Sequence, residues 1–262
     1  MTTFLMSTAP MTPPASGAAG GVDGALLRAI NAFARATPWL HGVLYGYATY
    51  GVTLFAVLLL AGWWTTRRTG NPAGVAAAVW AVVGTILAVG INQPIVSAVH
   101  EARPYTGVPG LLVLADRSTD FSFPSDHATM AGAVAAGLFL ARRRVLAWIA
   151  TVAAVLIAFA RVYIAAHYPQ DVAAGLLVGA VVVLLGWVLF RKVLTGLVRL
   201  LSRTPLRPLV TAASSASTPE AKIATGNHQE AAHLPSVPTT VTVSSGAGEP
   251  AEPPVHRHGP RS

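Results

Sequence analysis

Five apolar runs between Leu40 and Phe190 limit this chain more than any other feature, because lipid offers no partner to a backbone amide or carbonyl. A segment crossing a bilayer core of about 30 Å must satisfy those groups internally, and about 20 apolar residues do so as a helix. The runs fall at about Leu40–Trp64, Gly74–Val96, His127–Leu140, Val145–Ile164 and Val172–Phe190. The third reaches spanning length only when the turn before it is counted. Trp39 and Trp63–Trp64 mark the two ends of the first. The expected fold is all-α, a bundle of about five transmembrane helices. Composition agrees: 53% of residues are hydrophobic and 11% charged, and mean hydropathy is +0.56, outside the soluble globular range. Gly175 and Gly179 form a small-xxx-small pair in the fifth run, which fits close helix packing within one chain.

Three segments follow from composition. Residues 1–21 are rich in Ala, Gly, Pro, Ser and Thr and lack the apolar content of a core, so they are expected to be disordered. They also lack the charged start and apolar centre of a secretory signal. Residues 22–208 form the membrane domain. It opens with Val22–Ala36, where Leu26, Leu27, Ile30 and Phe33 share one helical face and Arg28, Asn31 and Arg35 lie elsewhere, a pattern suited to an interfacial helix. Residues 209–262 turn to Ser, Thr, Ala, Pro and Glu without periodicity and are expected to be a disordered cytoplasmic tail; their His228, His233, His256 and His258 read as scattered solvent histidines.

Charge sets an orientation. Arg67 and Arg68 follow the first run, Arg142, Arg143 and Arg144 the third, and Arg191, Lys192, Arg199, Arg203 and Arg207 the fifth, so these ends are expected in the cytoplasm. The acids Asp23, Glu101, Asp116, Asp120, Asp126 and Asp171 all fall at the opposite ends. The net charge of +8 is thus explained by topology, which argues against nucleic acid as a partner. With no cysteine, thiolate metal ligation and disulfides are excluded.

Arg103, Arg117 and Arg161 run against this charge bias. Arg161 sits near the outer end of the fourth run, where an ionisable group needs a polar cavity or a partner. In FSFPSDH, residues 121–127, Pro124 cannot continue a helix and Ser125 is a favoured N-cap, so the amides of Asp126, His127 and Ala128 are expected to emerge unpaired and attract an anion. In RVYIAAHYPQD, residues 161–171, His167 and Asp171 are four apart across a helix start, a spacing that sets a carboxylate beside an imidazole. A carboxylate on one ring nitrogen leaves the other free as a nucleophile. His127 is suited to donating a proton to a leaving oxygen, and Arg103 and Arg161 to forking onto phosphate. Singly, each has a plainer reading: His167 as an interfacial histidine, His127 as a cap partner, Asp171 as a first-turn acid, and Arg117 as a loop residue paired with Asp116 or Asp120. Jointly, the plain readings require the ends of three spans to collect these groups by accident.

The three segments resemble the signature of the type 2 phosphatidic acid phosphatase and vanadium haloperoxidase superfamily: Lys-x6-Arg-Pro, Pro-Ser-Gly-His and Ser-Arg-x5-His-x3-Asp. The resemblance covers about Ala88 to Gly186, and FSFPSDHAT, HEARPY and AHYPQDV are most similar to the bacitracin-resistance type of undecaprenyl-diphosphatase. It implies a membrane lipid phosphatase that cleaves polyprenyl diphosphate to the monophosphate at the outer membrane face, recycling the lipid carrier of cell-wall synthesis. Phosphatidylglycerol phosphate and phosphatidic acid are the alternative substrates, and a non-enzymatic phospholipid-binding or transport protein is a third reading. By the same resemblance His167 is the nucleophile and forms a phosphohistidine, Asp171 orients it, and His127 protonates the leaving phosphate and then activates water. Arg103, Arg161 and Ser125 hold the phosphoryl group, and no metal or other cofactor is implied. This chain departs from the signature at three positions. Val96 stands in the lysine position, with His100 as the candidate replacement, and Ala160 in the serine position. Asp126 stands in the glycine position; its carboxylate is expected to repel the ligand unless it turns away to bind an arginine or a backbone amide.

Overall fold

Small residues decide where the helices of this protein meet. The computed structural model describes residues 21–212; all regular elements among them are helices, without a strand, and residues 108–125 form a loop. In order they form α1 (Val22–Ala36), a 3-10 turn (Pro38–Leu40), α2 (His41–Tyr50), α3 (Val52–Arg67), α4 (Pro72–Val99), the short α5 (Pro104–Gly107), α6 (Asp126–Leu140), α7 (Arg144–Tyr163), α8 (Pro169–Leu201) and α9 (Arg207–Val210). α6 is the hub, packed against α4, α7 and α8. The Gly175–Gly179 pair of α8 lies on α6 at Ser125 and Thr129, where any Cβ would collide with their carbonyl oxygens. The small-xxx-small pair therefore packs helices inside one chain, as its spacing predicts.

Two of the five expected spans take other forms. Among the described residues three helices, α4, α7 and α8, are long and apolar enough to cross a membrane. The run at Leu40–Trp64 is a broken helix, α2 and α3 meeting at 53°, and counts as a fourth span if the pair is taken together. The break falls at Gly51, where the ring and carbonyl of Tyr47 and the side chain of Ile157 leave no room for a Cβ. α6 has 15 residues, about 22 Å at 1.5 Å each, so it is short of a 30 Å hydrocarbon core. It is a buried central helix: Ala128, Ala131, Val134 and Leu138 are buried on one side and Ala133, Gly137 and Ala136 on another.

α1 has the expected limits, yet its inward face differs. Leu27, Asn31 and Ala34 are buried, whereas Leu26 and Phe33 are nearly half exposed. Asn31, read from sequence as part of the outward face, turns inward because its amide satisfies the backbone of Leu112 in both directions, at 2.8 and 2.9 Å. The loop between α5 and α6 is pinned further by Tyr45 donating to Asp116 (2.7 Å) and by the amides of Leu114 and Ala115 donating to the carbonyl of Ile164. At the opposite end Trp63 donates to the carbonyl of Leu209, the amide of Ala212 to that of Arg67, and Val210 is buried. Packed chain thus continues past the expected boundary at 208. The expectations of disorder for 1–20 and 213–262, and the four tail histidines, lie outside the described residues.

Alternating helix direction collects the C-termini of α4 and α7 and the N-termini of α6 and α8 at one end of the bundle. Arg67, Arg68 and Arg142–Arg144 lie at the other.

Candidate active site

A cleft of about 600 Å³ opens at that first end, and Arg103, His127, Arg161, His167 and Asp126 all line it. Four elements supply them. The residue before α5 contributes Arg103, the first turn of α6 Asp126 and His127, the last turn of α7 Arg161, and the tight turn into α8 His167. That turn closes through the amides of Ala166 and His167 donating to the carbonyl of Arg161, which puts His167 back over the guanidinium of Arg161.

His167 is 3% exposed. Its Nε2 accepts from Arg161 Nη2 at 3.1 Å and lies 3.4 Å from Arg103 Nη1. On the other side Nδ1 donates to the carbonyl of Ser122 at 2.9 Å, while Asp171 Oδ2 is 3.5 Å away. The ring is therefore a neutral Nδ1–H tautomer with the Nε2 lone pair facing two cations. Burial pushes its pKa well below the usual histidine range, and the charges of Arg161 and then Arg103 push the same way. A neutral ring of this tautomer keeps the Nε2 lone pair that a nucleophile needs, and protonation at Nε2 would abolish it.

Asp171, at the third position of α8, is fully buried; it accepts from the amide of Tyr168 at 2.8 Å and from the Ser122 hydroxyl in a close contact. Arg103 is aimed by donation to the carbonyls of Asp120 (3.0 Å) and Ala166 (3.1 Å). Ser125 is the N-cap of α6, but its buried hydroxyl makes no capping bond and has no partner. The Asp126, His127 and Ala128 amides have no backbone acceptor among the described residues. The two guanidiniums and the unpaired first-turn amides of α6 suit this end of the bundle to an anion, while the Ser125 hydroxyl is fully buried and does not line the cleft.

The sequence expectations need correction at Asp126, His100 and Arg117, and Ser125 and Ala160 lie outside the cleft lining. Asp126 binds neither an arginine nor a backbone amide: its Oδ1 accepts from the side-chain amides of Asn92 (2.7 Å) and Gln93 (2.9 Å) on α4. His100 does not replace the missing lysine. It ends α4 in a left-handed conformation (φ 56°) with its ring against Phe121, centroids 4.5 Å apart, outside the cleft wall that Val96 forms. Ala160 is fully buried among Ala34, Ala48 and Tyr163, so a hydroxyl there would point into apolar packing, away from the cleft. Arg117 lies over the Tyr105 ring at 5.6 Å, and no carboxylate pairs with it among the described residues. Ser122, Asn92 and Gln93 escaped the sequence reading. For the last two a signal existed, a polar pair inside an apolar span; Ser122 carries none. Among the described residues no three His, Asp or Glu side chains gather as metal ligands.

The profile of the PAP2 superfamily matches residues 77–194. The bacitracin transport permease protein BcrC of Bacillus licheniformis is 31% identical over 58% of this chain and 72% of its own length. The chain belongs to the PAP2 superfamily. The undecaprenyl-diphosphatase BcrC of Bacillus subtilis is 28% identical over 63% of this chain and 81% of its own, and the undecaprenyl-diphosphatase of Sulfolobus acidocaldarius 28% over 66% and 78%. This PAP2 protein is a multi-pass membrane protein and a lipid phosphatase.

Proposed function

We propose that this PAP2 phosphatase hydrolyses polyprenyl diphosphate to the monophosphate at the extracytoplasmic face of the plasma membrane, through a phosphohistidine on His167. The observation that carries the reading is the lone pair of His167 Nε2, held neutral and facing Arg161 and Arg103. Nε2 attacks the terminal phosphorus, and the bond from phosphorus to the bridging oxygen breaks. The departing prenyl monophosphate takes a proton through His127; burial and the charge of Arg161 lower the pKa of that ring to about 4, so the proton arrives with the incoming diphosphate. His127, now neutral, accepts a proton from water as that water attacks the phosphohistidine, releasing inorganic phosphate and returning His167 to its starting state. Arg103, Arg161 and the first amides of α6 neutralise the charge on the transferring group, which is where most acceleration of phosphoryl transfer originates.

The prenyl diphosphate assignment rests on the diphosphatase names of two relatives and on Asp126, which supplies a carboxylate where the superfamily signature has glycine. The extracytoplasmic assignment rests on the arginine-rich ends opposite the cleft. Recycling of a cell-wall lipid carrier is the role that reaction would serve. The test is phosphate release by purified protein in detergent from prenyl diphosphate, prenyl monophosphate, phosphatidylglycerol phosphate and phosphatidic acid, with a chelator present. The reading expects turnover of the diphosphate above the others, insensitivity to chelator, and no turnover or phosphoenzyme with His167→Ala. Normal turnover by folded His167→Ala protein would falsify the nucleophile assignment.

A further inference from the structure

Two oxygens compete for the Nδ1 proton of His167. The Ser122 carbonyl is 2.9 Å away, an ordinary N–H···O separation; Asp171 Oδ2 is at 3.5 Å, beyond the usual range. Asp171 Oδ2 is meanwhile engaged by two donors, the Ser122 hydroxyl and the Tyr168 amide. The Ser122 amide in turn donates to the carbonyl of Glu101 at 2.8 Å, so this one residue is tied at its amide, its carbonyl and its hydroxyl. Ser122 and Asp171 are both fully buried.

We infer that the main-chain carbonyl of Ser122, rather than the carboxylate of Asp171, fixes the Nδ1–H tautomer of His167, and that Asp171 is a positioning residue acting through the Ser122 hydroxyl. A carbonyl can only accept, so it demands the proton on Nδ1 and leaves Nε2 bare. The Ser122 hydroxyl has a single proton, which it gives to Asp171. Its oxygen, 3.4 Å from Nδ1, therefore cannot donate there and force the other tautomer. The carboxylate anchors the segment that carries the carbonyl. The catalytic consequence rests on His167 as the nucleophile, as proposed above; the tautomer assignment does not.

Asp171→Asn separates the two arrangements, because the asparagine oxygen can still accept from Ser122 and Tyr168. The protein is labelled at histidine nitrogens, the His167 signals are assigned by difference from His167→Gln, and kcat and KM for prenyl diphosphate are measured beside the spectra. The expected result is that Asp171→Asn keeps the Nδ1–H tautomer and loses about tenfold or less in kcat, with KM unchanged. Ser122→Ala, which frees the carbonyl from its anchor, is expected to lower kcat about 10- to 100-fold with KM within about threefold, as loss of a supporting hydrogen bond does elsewhere. Ser122→Thr, which keeps the hydroxyl, restores most of that loss.

Migration of the proton to Nε2 in Asp171→Asn overturns the inference. So does a fall in kcat on the order of 10⁴, the size seen when the carboxylate is bonded directly to the imidazole. Should Asp171→Asn not fold, Ser122→Ala decides, and a kcat within about twofold of the parent with an unchanged tautomer counts against us. Trapping of a radiolabelled phosphoryl group on His167 of the parent protein tests the nucleophile assignment separately. No label together with a retained Nδ1–H tautomer removes that assignment and leaves this one standing.

Discussion

The proposed role of His167 requires a neutral ring, and its surroundings favour that form. Burial and two guanidiniums hold its pKa well below 6.5. Above about pH 6.5 the folded and unfolded chains both carry it neutral, so it adds no pH dependence there. As pH falls through that value the unfolded chain takes up a proton that the folded chain refuses, and stability falls until the depressed folded pKa is reached. Thermal unfolding between about pH 7.5 and about pH 5.5 is expected to show the parent losing roughly 1 kcal/mol more than His167→Gln. An equal loss in both would mean that His167 titrates normally. Asp126 acts in the opposite sense, placing a fixed negative charge beside the anion cavity. Asp126→Asn keeps an acceptor for Asn92 and Gln93 but removes that charge. Inhibition by inorganic phosphate is expected to tighten about three- to tenfold; weaker inhibition would mean that the carboxylate supports binding.

At the scale of elements, two contacts hold the cleft in register. Gly179 on α8 lies against the backbone of Thr129 on α6, and α6 carries Ser125, Asp126 and His127. Gly179→Val forces these helices apart at their closest approach, and a loss of at least about 1–3 kcal/mol in stability is expected from overpacking, together with loss of turnover. Thermal melting in detergent reads the first and phosphate release the second; unchanged melting would show that the contact is not close in solution. Asn31 pins the α5–α6 loop to α1 by two hydrogen bonds to Leu112. Asn31→Leu leaves that backbone unpaired, at a cost of about 1–3 kcal/mol. Its effect on activity is expected mainly in KM, because Leu112 leads into cleft residues Ala115, Asp116 and Ser118 while Ser122, His127 and His167 have anchors of their own. A fall in kcat at constant KM would contradict this.

For the whole molecule the question is which end of the bundle faces out. With no native cysteine, single-cysteine variants report sidedness cleanly. In intact cells a membrane-impermeant maleimide is expected to label Ser118→Cys, at the cleft, and to spare Thr69→Cys, after α3, until the membrane is opened. The reverse pattern would place the cleft in the cytoplasm and remove the proposed role in recycling an external lipid carrier. The sequence alone was enough for the helical membrane class, the limits of α1 and α7 to within a residue, and the convergence of Arg103, His127, Arg161 and His167, since periodic apolar runs and alternating charge are local properties of a chain that must cross lipid. It also marked the Gly175–Gly179 contact. Tertiary structure alone decided the bend at Gly51, the burial of α6 as a short central helix, the inward turn of Asn31, the amide clamp on Asp126 and the place of Ser122 behind His167. Each of these depends on which distant group fills a neighbouring space: a hydrogen-bond partner 81 residues away for Asn31 or 45 for His167 leaves no mark on local periodicity, because only packing brings the two together.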